Sequence, residues 1–213
     1  MDMKNKTKVQ ISLMEKIAEI ITNNINSYLH KEGLELQKMK LGLEILLINI
    51  SKFIVIFTVA AGFNLLKESI FMSLIFASIR RNAFGLHAKN SLICTLVSLS
   101  IFVLGSYLSY YLKFNNFTVF IIFTIVNILL YKYAPADTEN HPLIGANLRK
   151  KRKKEAITIG IVLMIIALLI PSNVIKTLMS LSAISAVIVI LPITYSLMKR
   201  GYRNYEKYER EFI

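Results

Sequence analysis

From residue 41 onward the chain alternates long apolar runs with short polar stretches. The runs cover residues 41–62, 65–79, 91–112, 117–133, 156–170 and 174–198. A helix rising 1.5 Å per residue needs about 20 apolar residues to cross a bilayer. The runs at 41–62, 91–112, 117–133 and 174–198 are near that length, whereas 65–79 is short enough to be re-entrant instead. The pattern predicts an all-α polytopic membrane protein of about six transmembrane or re-entrant helices. Lys113–Asn116 and Pro171 mark tight turns, and Pro192 is expected to kink the last helix.

Ahead of these runs, residues 9–29 repeat apolar positions with a helical period. Leu13, Ile17, Ile20, Ile21, Ile25, Tyr28 and Leu29 share one face, opposite Glu15, Lys16, Glu19, Asn23 and Asn26. Such a helix lies on a membrane surface or packs on a partner. The first forty residues are too polar for a cleaved signal peptide. The organisation expected is one membrane-embedded domain over 1–213. It comprises an amphipathic cytosolic region at 1–40, a helical membrane part at 41–198 with a basic cytosolic loop at 132–155, and a cytosolic tail at 199–213.

Charge orients these elements. The formal net charge is +13, yet no nucleic-acid-binding motif accompanies it, so nucleic acid is not an expected partner. With six spans and both termini inside, 22 of the 26 lysines and arginines fall on the cytosolic side and three, Lys67, Lys113 and Lys176, on the other. This asymmetry follows the positive-inside rule and points to a multi-pass cell-membrane protein whose boundary cations set topology or meet anionic lipid. Lys52 lies within a span and must face protein or water. A single cysteine excludes an internal disulfide, and three dispersed histidines have no metal-ligand spacing; neither a metal nor a cofactor is expected.

The cysteine stands in "RRNAFGLHAKNSLIC", residues 80–94, seven places after His87. On one straight helix those two residues would be separated by roughly 10 Å of rise. Gly85 permits an unusual backbone turn and Asn90 or Ser91 is a good N-cap, so the spacing predicts a helix beginning there, with Cys94 near its first turn and His87 in the preceding loop. A thiol at that place has its pKa lowered by the helix end and by an imidazolium, with Arg80, Arg81 and Lys89 adding positive potential. The stretch thus supplies a nucleophile, a general base and acid, and backbone donors for an oxyanion. On spacing alone the plainer reading stands beside it, because a lone cysteine in an apolar run is commonly a small hydrophobe.

Arg80, four residues, Gly85, one residue, His87 and Ala88, with Cys94 seven places beyond the histidine, resembles the motif of the accessory gene regulator B family. "YAPADTENHPL" and the basic "RKKRKK" resemble that family as well, and the likeness runs over essentially the whole chain. Phe84 stands where the family often has the first of two glycines.

The resemblance implies a membrane cysteine endopeptidase, active at the cytosolic side. It would remove the acidic C-terminal tail of a quorum-sensing propeptide and promote closure of a thiolactone or lactone ring. It implies His87 and Cys94 as the catalytic pair, Arg80, Gly85 and Asn90 as supporting loop residues, and a homodimer. Arg149, Lys150, Lys151, Arg152, Lys153 and Lys154 either meet the substrate's tail or enforce topology. A third catalytic member is not singled out among Asn82, Asn90, Glu44 and Asp137, and Asp137 and Glu139 are read as turn residues. His30 and His141 are read as solvated. The competing expectation is a non-enzymatic peptide exporter or membrane assembly partner; the chain carries no ATP-binding motif for a primary pump. A related peptidase that hydrolyses without cyclising is a third.

Overall fold

The structure, a computed structural model, describes residues 13–86, 91–139 and 142–211. These form two compact units, one ending at Val55 and one beginning at Ile56. The secondary structure among them is helical, with one isolated bridge between Phe84 and Ala136.

The first unit holds α1 (Leu13–Leu29) and most of α2 (Gly33–Gly62), as far as Val55. Between these helices the Asn26 side chain accepts from the Lys31 N–H at 2.7 Å, and Gly33 takes a φ of 58°. Lys40 donates to Glu19 at 2.9 Å. On α1, Ala18 and Thr22 are buried while Ile20, Ile25, Tyr28 and Leu29 are exposed. Residues 9–12 of the amphipathic helix expected from the sequence lie outside the described residues.

The second unit continues with α3 (Leu66–Ala83), α4 (Ser91–Leu99), a π-helical turn (Ser100–Leu104), α5 (Gly105–Leu112), α6 (Asn116–Tyr133), α7 (Ala146–Leu169), α8 (Asn173–Ile188), α9 (Pro192–Leu197) and α10 (Tyr205–Glu211). Among the described residues three helices are long and apolar enough to cross a membrane: α2, the segment Leu92–Leu112, and α6. By length and composition these account for three of the about six transmembrane or re-entrant helices expected from the sequence. Helix α3 carries Lys67 and Glu68 at one end and Arg80 and Arg81 at the other. Helix α7 spends its first turns on the basic run, and α8 has 16 residues.

Two boundaries differ from the sequence reading. Residues 146–155, expected as part of a basic loop, are the opening of α7, because no proline separates Gly145 from Pro171 and the single Gly160 is tolerated within a helix. Pro192 does not kink one helix over 174–198 but starts a second one at its first position, where a missing N–H costs nothing.

Helix α8 is the hub, packing on α3, α5, α6 and α7. Its interior hydroxyls are all satisfied. Thr177 donates to the Asn173 carbonyl, Ser180 to that of Lys176, and Ser182 to that of Met72 on α3 at 2.7 Å. Short side chains bonded in this way let helices approach closely without stranding a polar group. The main core gathers Ile79, Phe123, Leu130, Leu163, Met179, Val187 and Tyr195. A second cluster joins Ile56, Met72, Phe102 and Leu178, with Phe76 edge-on to Phe102. The π turn sits against it. The Phe102 carbonyl accepts from both Ser69 and Ser106 hydroxyls, at 3.0 and 2.6 Å, and Gly105 leaves room for the Met72 thioether.

Candidate active site

The site is built from the end of α3 outward. The helix stops at Ala83 because Phe84 turns to φ 58°, ψ −135°, and Gly85 follows at φ 109°. Phe84 therefore adopts backbone angles that glycine takes most easily, at the position where the resembled motif often carries glycine.

Three backbone hydrogen bonds fix the turn. Ala136 donates to the Ala83 carbonyl at 2.9 Å, Gly85 donates to the Ala136 carbonyl at 2.8 Å, and Leu86 donates to the Val189 carbonyl at 3.1 Å. The segment at 134–137 and the end of α8 thus hold residues 84–86 from both sides. Gly85 allows this closeness, since a Cβ there would meet the Val189 carbonyl oxygen and Ile190 Cγ2 at 2.9 Å each.

Arg80 completes the turn from within. Its guanidinium donates to the carbonyls of Gly85 at 3.0 Å and Leu86 at 3.2 Å, and lies over the Phe76 ring. It is also within electrostatic reach of Tyr195 and of Cys94. Cys94 is the fourth residue of α4, half-buried, with its carbonyl accepting from Ser98 at 2.8 Å. No unbroken helix joins Arg80 to Cys94, because the turn at 84–86 intervenes. Arg80 thus holds Gly85 by a hydrogen bond and stands within electrostatic reach of Cys94. His87 and Asn90 lie outside the described residues, as does His141.

Around this turn stands a second set of polar residues. Asn82 is buried and accepts from Arg152 at 2.9 Å. Asp137, read from the sequence as a turn residue, is 3% exposed. Its carboxylate accepts the backbone N–H groups of Asn204 at 3.0 Å and Tyr205 at 2.7 Å, capping α10, while the Tyr195 hydroxyl donates to its carbonyl at 2.7 Å. Glu139 pairs with Arg200 at 2.7 Å and accepts from the Gly201 N–H. Arg149 is bidentate to Glu209 and stacks on Tyr205. The C-terminal segment is thereby tied to the strip that braces the turn. Sequence reasoning missed Asp137 and Tyr195 as anchors; their partners lie 67 and 58 residues away, with no local signal. Among the described residues no group of three or more His, Cys, Asp and Glu side chains is placed to hold a metal ion.

The family model for accessory gene regulator B matches residues 14–195. A putative AgrB-like protein of Clostridium acetobutylicum is 54% identical over 203 residues, covering 95% of this chain and 97% of that one. One from Listeria innocua is 41% identical over 200 residues, with 94% and 97% covered. The accessory gene regulator protein B of Staphylococcus haemolyticus is 33% identical over 164 residues, with 77% and 86% covered. No solved structure matches. The chain belongs to the accessory gene regulator B family.

Proposed function

We propose that the chain is a membrane cysteine endopeptidase that processes a quorum-sensing propeptide, with Cys94 as nucleophile and His87 as general base and acid. The observation that carries this reading is the place of Cys94, early in α4 and within electrostatic reach of Arg80, in a chain of this family. The Cys94 sulfur attacks the scissile carbonyl carbon, its proton passing to His87. The carbon–nitrogen bond then breaks, and His87 returns the proton to the amine of the departing acidic tail. The product is a thioester between the peptide and Cys94. A thiol or hydroxyl of the same peptide displaces Cys94 and closes the thiolactone or lactone, regenerating the thiol.

Arg80 supports this chemistry by holding the carbonyls of Gly85 and Leu86, immediately before His87 in the chain. Asn90 is assigned a helix-capping role on its residue type and its place before Ser91 in the sequence. Excluding water at a membrane boundary protects the thioester from hydrolysis until the ring closes. The protein is read as a single domain in the cell membrane, with about six crossing or re-entrant segments and α1 lying on the cytosolic face. Both termini and the active site face the cytosol, and the assembly is a homodimer. The summed positive potential of residues 149–154 draws the acidic tail over long range, without requiring contact.

Co-expression with the cognate propeptide tests the reading. Wild type is expected to release the tail, while Cys94→Ala and His87→Ala leave the propeptide intact. A Cys94→Ala protein that still cleaves would remove this mechanism.

A further inference from the structure

The six cations from Arg149 to Lys154 form an uninterrupted basic stretch in the sequence, but the helix divides them. At about 100° per residue, Lys150, Lys151 and Lys154 fall within about 100° of one another, and Arg149, Arg152 and Lys153 fall on the opposite side. The second group is occupied by the protein. Arg149 grips Glu209 and donates to the Leu143 carbonyl at 2.9 Å, Arg152 donates to Asn82 and Glu155, and Lys153 sits 4.5 Å from the centre of the Tyr131 ring. The same side of α7 continues as its packed face through Ala156, Gly160, Leu163 and Ala167.

The first group is different. Lys150, Lys151 and Lys154 are exposed, and among the described residues their side chains make no ion pair or hydrogen bond. Their side of the helix continues past Thr158 as Ile161, Val162, Ile165 and Leu169, all exposed and apolar after Thr158. Three ammonium groups thus precede a bare apolar stripe on one helix face, roughly two to three turns before its first apolar residue, Ile161. An apolar face left uncovered within a membrane meets acyl chains, and the cations above it lie at headgroup depth. Ammonium groups on flexible stems suit phosphate oxygens at that depth, each worth a several-fold gain in binding.

We propose that Lys150, Lys151 and Lys154 form a binding site for the headgroups of anionic phospholipids where α7 enters the membrane. The arginines of the same run serve the protein's own packing. The site does not depend on the thiol chemistry, and Cys94→Ala protein keeps it.

Native mass spectrometry of the full-length protein in detergent, titrated with phosphatidylglycerol or phosphatidylcholine, tests this. Replacing all three lysines (Lys150→Gln, Lys151→Gln, Lys154→Gln) is expected to weaken phosphatidylglycerol binding at least tenfold and to leave phosphatidylcholine binding unchanged. The corresponding triple Lys→Arg protein is expected to bind as wild type. A glutamate decapeptide in the same assay is the competing ligand. Wild-type phosphatidylglycerol binding by the triple Gln protein overturns the proposal. So does loss of decapeptide binding with lipid binding intact, which would assign the lysines to an acidic peptide.

Discussion

Arg149 and Glu209 meet through two hydrogen bonds, Nη1 to Oε1 at 2.6 Å and Nη2 to Oε2 at 3.1 Å, tying α10 to the start of α7. The Arg149 guanidinium, then the Gly145 N–H, holds the Glu209 carboxyl below its ordinary range. A depressed folded pKa stabilises docking above the unfolded carboxylate value, and the contribution is lost as pH falls through the lowered value. Amide protection across residues 199–211, relative to the unfolded chain at the same pH, is therefore expected to fall on acidification below about pH 4. Glu209→Gln should show low protection at neutral pH and lose that pH dependence. Equal protection in both proteins at neutral pH would mean the pair does not hold α10.

Gly85→Ala places a methyl group against the Val189 carbonyl and Ile190 on a backbone at φ 109°. A backbone obstacle cannot rotate away, so the turn must shift. The expected result is a folded protein with propeptide cleavage reduced at least tenfold and a lower melting temperature in detergent. Unchanged cleavage would show that the contact with the α8 end does not position the loop.

Phe84 points the other way. At φ 58° and ψ −135° a phenylalanine is strained by roughly 1–3 kcal/mol. Phe84→Gly is expected to retain cleavage, whereas the β-branched Phe84→Val should lower both cleavage and thermal stability. A Phe84→Gly protein without activity would mean that the ring, rather than the turn it adopts, is what the site needs.

Helices α6 and α7 approach each other where Gly160 faces Asn127 and Leu130. A Cβ at 160 would run into Asn127 Oδ1 and Leu130 Cδ1. Asn127 Oδ1 is buried and has no hydrogen-bond partner, although Nδ2 donates to the Phe123 carbonyl at 2.8 Å. Gly160→Ala is expected to destabilise by about 1–3 kcal/mol, the usual cost of overpacking. Adding Asn127→Ala should recover most of it, and strict additivity of the two changes would contradict direct contact.

Some of this was legible in the chain. The runs at 91–112 and 117–133 match spans at Leu92–Leu112 and Asn116–Tyr133, because length and apolarity are local properties. The turn at Lys113–Asn116 was also legible, and within it the Asn115 side chain accepts from the Thr118 N–H and caps α6. The division of the basic run was within reach too, had α7 been extended back to Gly145 and its helical phase counted. The bracing of the turn at 84–86 was not. It depends on Ala136 and Val189, whose backbone groups carry no side-chain signature. The same holds for Asp137, whose carboxylate looks like any turn residue until the chain returns at Asn204. Pro192 was visible as a disruption, but whether it bends a helix or begins one is decided by the residues around it in space.

The central claim is that Cys94 carries the peptide as a thioester. The direct measurement is intact and peptide-mapped mass spectrometry of the full-length protein, quenched in acid during turnover of its propeptide. The account predicts a hydroxylamine-labile adduct of the tail-less peptide on the fragment containing Cys94, absent from His87→Ala. Tail release by a Cys94→Ala protein, or turnover with the adduct on another residue, would contradict it.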